Sequence, residues 1–186
     1  HAGFILVGLE AASHSDSINA GDGLVAVGVY VVLYAALVVG TFGVVSVVAR
    51  NTNEDATSLD AFKGLAKNQP LLGLVMTVFL LAQAGMPLTS GFIAKFGVIK
   101  AAATNNSYAV ALVAMVASVI AALLYLRIMI SMWLSDAEAG DEKREAIAIP
   151  VSAGLVVAVS AVFTLLVGVW PSWLIDASHA ALQLAK

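Results

Sequence analysis

The stretch Pro70-Leu71-Leu72-Gly73-Leu74-Val75-Met76-Thr77-Val78-Phe79-Leu80-Leu81-Ala82-Gln83-Ala84-Gly85-Met86-Pro87-Leu88-Thr89-Ser90-Gly91-Phe92-Ile93-Ala94-Lys95-Phe96-Gly97-Val98-Ile99-Lys100 decides the fold. It is greasy along its whole length, yet Gly85, Pro87 and Gly91 interrupt it. Pro87 removes a backbone donor and clashes one turn back, and the flanking glycines loosen the chain, so the pattern predicts a helix broken between Gly85 and Gly91. The two halves are about 14 and 12 residues, each short of the about 20 that a bilayer crossing needs. Irregular backbone at membrane depth survives only where protein or a watery cavity satisfies it. Gln83, Thr89 and Ser90 are the side chains expected to do so. Discontinuous helices of this kind recur at ion sites in transporters.

Lys95 follows directly on the break. An isolated ammonium in hydrocarbon costs about 2.5–3.5 kcal/mol on insertion scales. Charge on a buried amine is disfavoured away from water and restored by a nearby carboxylate. A partner that comes and goes therefore makes such a lysine a gated proton carrier. The plainer alternative is a lysine that snorkels to the interface, which is the reading for Lys100. Depth and position beside the break favour the proton carrier for Lys95.

The surrounding chain sets the class. Apolar residues make up 61% of 186 and charged residues 11%, with a mean hydropathy of +0.96. Soluble domains carry about 25% charged residues. With no cysteine and a net charge of −3, disulfides, iron–sulfur clusters and thiolate zinc sites are excluded from this chain, and nucleic acid is not a partner. No metal or cofactor site is expected. The fold expected is an all-α polytopic transmembrane bundle of about five spans. These run over 1–10 (partial), 24–49, 71–103 (broken at 85–91), 108–134 and 147–170. The opening His1-Ala2-Gly3-Phe4 has neither Met nor a basic start, so the chain reads as a C-terminal fragment beginning inside a helix.

Positive charge sets the orientation. Arg50, Lys63 and Lys67 lie in one loop and Lys143 and Arg144 in another, whereas the alternate connections 10–23 and 104–107 carry no Lys or Arg. Both basic loops are expected in the cytoplasm and the C-terminus outside, in the plasma membrane of a bacterium. Trp133, Trp170 and Trp173 fall at span ends and read as interfacial anchors. Leu59, Phe62, Leu65 and Ala66 have helical spacing, which predicts a short interfacial helix before Pro70. No carboxylate lies inside a span; Glu10 is nearest, at a helix end. His1 is a possible relay at membrane depth, while His14 and His179 fall in loop or terminal positions. Tyr125 and Arg127 read as packing and interface residues.

The string Gly85-Met86-Pro87-Leu88-Thr89-Ser90-Gly91-Phe92-Ile93-Ala94-Lys95-Phe96 resembles the second broken helix of the antiporter-like subunits of proton-pumping NADH–quinone oxidoreductase (respiratory complex I), with subunit N the most similar. His1-Ala2-Gly3-Phe4, Gly40-Thr41-Phe42-Gly43-Val44-Val45-Ser46 and Gly168-Val169-Trp170-Pro171 support it, in order across the whole chain. The resemblance implies two inverted repeats of five helices, of which this chain holds the second broken helix. It places Lys95 at the terminal proton-handling lysine. Partners would be the other membrane and peripheral subunits and the lipid bilayer. NADH, FMN, iron–sulfur clusters and quinone would belong to those partner subunits. Met86-Pro87-Leu88-Thr89 departs from the commoner Ile-Pro-Pro-Thr, losing one proline, and the glutamate–lysine pair of the first repeat is absent. Alternatives are a subunit of a multisubunit Mrp-type cation/proton antiporter, or a passive membrane anchor in which Lys95 is only a strut.

Overall fold

The computed structural model describes residues 1–13, 20–51, 58–135 and 149–184. Among them every regular element is helical: α1 (Ala2–Ser13), α2 (Ala20–Asn51), a 3-10 turn (Leu59–Phe62), α3 (Leu65–Asn68), α4 (Pro70–Ala84), α5 (Ser90–Thr104), α6 (Tyr108–Leu134), α7 (Val151–Val169) and α8 (Ser172–Leu184). Three helices, spanning Asp22–Arg50, Tyr108–Leu134 and Val151–Val169, are long and apolar enough to cross a membrane. α4 and α5 make the broken span, and α1 supplies a shorter apolar segment. The polytopic helical bundle expected from the sequence is the fold observed.

Helix α2 is the spine, packed against α1, α5, α7 and α8. Small residues bring its neighbours close, as they do where helices meet without a hydrophobic driving force. A Cβ at Gly43 would sit 2.8 Å from a Val157 methyl, and one at Gly40 would strike the Phe79 ring. The Gly40-Thr41-Phe42-Gly43 string is thus the surface on which α2 receives α4 and α7. On the far side, α6 turns Val113, Val119, Ile120 and Leu123 outward, each more than half exposed. That is how a helix bathed in an apolar medium looks.

The boundaries differ from the sequence reading in four places. The break is tighter than 85–91, because Ser90 and Gly91 already form the first turn of α5. The stretch 59–67 is not one interfacial helix: Gly64, at φ 68°, divides it into the 3-10 turn and α3. Ala61, Phe62, Leu65 and Ala66 are nonetheless buried, Phe62 and Leu65 among the α4 and α6 side chains. α7 begins at Val151, since Pro150 has extended backbone at its N-cap. Finally, α8 follows Pro171 and tucks Leu174 into the cluster of Phe4, Val29 and Val167. His14, Lys143, Arg144, residues 147–148 and Lys186 lie outside the described residues.

Candidate functional site

The site grows out of the way α4 stops. Its last turn closes on Gly85, at φ 92°, with Gly85 N–H donating to Ala82 O (2.9 Å) and Met86 N–H to Leu81 O (3.0 Å). Such a left-handed cap is natural for glycine. It leaves the carbonyl of Ala84 without a helical donor, and the negative end of the helix dipole points there. Pro87 and Leu88 carry the chain round. Leu88 adopts φ 67°, a conformation costly for any residue with a Cβ and closed to proline, whose ring fixes φ near −65°. The missing proline noted in the sequence therefore permits this turn. The hydroxyl of Thr89 donates to Met86 O (2.6 Å), and α5 starts at Ser90.

Gly91 makes the crossing possible, because a Cβ there would fall on the Ala82 carbonyl oxygen. One turn on along the same face, Lys95 reaches back over the break. Its ammonium donates to Ala84 O (3.1 Å) and to Ser118 Oγ on α6 (3.0 Å), and lies 5.5 Å from the centre of the Phe4 ring. At 5% exposure the side chain is buried, so it does not snorkel. A Cβ at Gly85 would press on the Lys95 stem at 3.1 Å. The glycine that ends α4 also makes room for the lysine. Two acceptors meet an ammonium with three donors, and no carboxylate pairs with it among the described residues.

Beside Lys95 is a cavity of about 10 Å³, lined by His1, Tyr30, Tyr34, Gln83 and Gly91 among others, room for about one water molecule. His1 is held there on both sides. Its Nδ1 is bonded to the hydroxyl of Tyr30 (2.8 Å) and its Nε2 to that of Tyr125 (2.7 Å). Its ring stacks on Tyr34 with centroids 4.5 Å apart. A neutral imidazole has one donor and one acceptor, so one tyrosine gives a hydrogen bond and the other receives one. His1 and Lys95, far apart in sequence, thus share one cavity.

Three side chains behave otherwise than the sequence suggested. Tyr125 is not mere packing, since it is the second partner of His1. Gln83 does not serve the broken backbone; its Nε2 donates to Thr41 Oγ1 (2.6 Å), tying α4 to α2. Ser90 is buried, and its hydroxyl has no partner among the described residues; the same holds for Thr164 on α7. Tyr30, Tyr34 and Ser118 were missed. Tyr30 and Tyr34 are four apart on one face of α2, the only local signal for them in an otherwise aliphatic run. Ser118 carries no signal of its own in the α6 sequence. Glu10 lies away from Lys95, where its Oε1 accepts from the Ser107 hydroxyl (2.8 Å).

A family described as NADH:quinone oxidoreductase/Mrp antiporter, transmembrane, matches residues 1–121, which include the break, Lys95 and Ser118. The chain belongs to that family. It is 39% identical over 181 residues to NADH-quinone oxidoreductase subunit N 3 of Streptomyces griseus, covering 97% of this chain and 31% of that protein. The chain therefore spans about a third of the length of the curated relatives it matches. In fold it is similar to a chain of the Mrp complex of Dietzia sp. DQ12-45-1b (TM-score 0.73, 21% identity, 87% of this chain and 37% of that one). It is likewise similar to a chain of respiratory complex I of Thermus thermophilus (TM-score 0.67, 23% identity, 94% and 43%).

Proposed function

We propose that this chain is the part of a proton-translocating NADH–quinone oxidoreductase membrane subunit, of the subunit N type, in which Lys95 carries the proton. One observation bears the weight: a buried ammonium lies across a helix break, held by the end carbonyl of α4 and one hydroxyl and by no ion partner among the described residues. Such a group can lose a proton without stranding a fixed counter-charge beside it. A neutral amine at the same place accepts a hydrogen bond from Ser118, whose hydroxyl can both donate and accept. Both states are thereby accommodated without moving the backbone.

His1 is the relay in this reading. One water in the shared cavity would bring protons from the Tyr125–His1–Tyr30 set to Lys95. The basic loops orient the chain with the start of α4 toward the cytoplasm and the C-terminus outside, in a bacterial plasma membrane. The other membrane and peripheral subunits are the partners. NADH, FMN, iron–sulfur clusters and quinone are assigned to them in this reading; for the clusters, this stretch supplies no cysteine thiolate.

The test is NADH-driven acidification of inverted membrane vesicles carrying Lys95→Ala in the full-length protein. The gradient is expected to fall while the amount of assembled complex stays at wild-type level. Loss of assembled complex with normal pumping per complex would instead identify a membrane anchor. Sodium-dependent exchange in vesicles without NADH would identify an Mrp-type antiporter.

A further inference from the structure

A second concavity lies on the other side of α5, away from the lysine's neighbours on α6. It is a groove of about 450 Å³ between α2, α5 and α8. Its lining is graded along the helices. Asp22 and Lys100 stand at the end where α2 begins and α5 finishes, Val29, Ile93 and Phe96 stand deeper, and His179 lines the groove from α8. From Asp22 to Val29, and from Lys100 back to Ile93, the rise is about 10 Å, within a leaflet whose hydrocarbon is about 15 Å thick. The groove therefore runs with the membrane normal, charged at the surface and apolar inside. Its depth comes from small residues at the α2–α5 contact, where a Cβ at Gly97 would come no nearer than 4.0 Å to Ala26 Cβ.

The charges at its mouth are one of each sign. Asp22 and Lys100 are both exposed, and no ion pair joins them among the described residues. We propose that the groove seats one phospholipid of the leaflet on that side, with a zwitterionic amine headgroup of the phosphatidylethanolamine class. The phosphate meets the ammonium of Lys100, the headgroup amine meets the carboxylate of Asp22, and an acyl chain lies along Val29, Ile93 and Phe96. His179 supplies a further polar contact from α8, so the lipid would tie the C-terminal helix to α2 and α5. A purely anionic headgroup satisfies Lys100 but faces Asp22 with like charge. Selectivity for the zwitterion follows. This inference depends on membrane insertion alone and not on what Lys95 does.

The test uses the full-length protein in its native complex, in vesicles doped with phosphatidylethanolamine or phosphatidylglycerol carrying a photoactivatable group on one acyl chain. The expected labelling maps to α5 and α8 near Phe96 and Ile175. It is about tenfold stronger for phosphatidylethanolamine, the size of one charge-assisted hydrogen bond. Asp22→Asn removes that preference, Lys100→Gln weakens labelling by both lipids because both carry the phosphate, and Gly97→Trp, which fills the groove, removes the labelling. Should Gly97→Trp fail to assemble, the two exposed rim variants carry the result. Equal labelling by the two lipids would overturn the proposal. So would labelling indifferent to these variants, or a photoreactive residue at position 96 that attaches to protein instead of lipid.

Discussion

At Leu88 a single φ angle links sequence to site. The residue stands where the related subunits commonly carry a second proline, and it turns through φ 67°. A Cβ in that region costs about 1–2 kcal/mol. Leu88→Gly is expected to raise the thermal-inactivation midpoint of the assembled complex, by the equivalent of about 1 kcal/mol. Leu88→Pro is expected to lower it and the amount of complex, because proline cannot follow this backbone. A neutral or stabilising Leu88→Pro would show that the turn takes another course. Ser118 is the second residue-scale case. Its hydroxyl is one of two acceptors for the Lys95 ammonium, and bonds to charged groups contribute about 1.5–3 kcal/mol. Ser118→Ala should slow proton-coupled turnover about tenfold or more with assembly retained, measured as NADH oxidation limited by pumping. Lys95 itself was legible in the sequence, because a charge in an apolar run has few innocent explanations. Ser118 was not, since serine is tolerated in any membrane helix and only the bundle brings it beside the lysine. His1 was legible as a candidate only; its tyrosine partners lie on two other helices, 29 and 124 residues away.

At the scale of elements, the broken span is held by close backbone approaches. A Cβ at Gly91 would fall on the Ala82 carbonyl and one at Gly168 on the Leu88 carbonyl. The first contact locks α4 to α5 and the second locks the break to α7. Gly168→Val is expected to reduce assembled complex, since overpacking costs about 1–3 kcal/mol. The spans were readable because Gly, Pro and hydropathy punctuate them sharply. α8 was not. It begins after Pro171 and spaces Leu174, Ile175, Ser178 and Leu182 at helical intervals, yet Asp176 and His179 dilute its apolar signal and its short length mimics a tail. The stretch 59–67 misled for the opposite reason. Its apolar spacing fits a helix, but Gly64 at φ 68° interrupts it, and backbone conformation is invisible to a hydropathy pattern.

At the scale of the whole chain, two polar regions lie on different sides of α5. The Lys95 cavity is lined by His1 and by residues of α2 and α4, and the lipid groove by residues of α2 and α8. Orientation decides which way the first would deliver protons. Lys67 and Thr104 are exposed at opposite ends of the bundle. In the full-length protein, Lys67→Cys should react with an impermeant thiol reagent only from the cytoplasmic side and Thr104→Cys only from the outside. The reverse pattern would invert the proposed path. The central claim, that Lys95 bears the transported proton, is tested most directly by the number of protons moved per NADH oxidised in vesicles carrying Lys95→Ala. The ratio is expected to fall below that of the wild type with the complex fully assembled. An unchanged ratio in a fully assembled complex would contradict it.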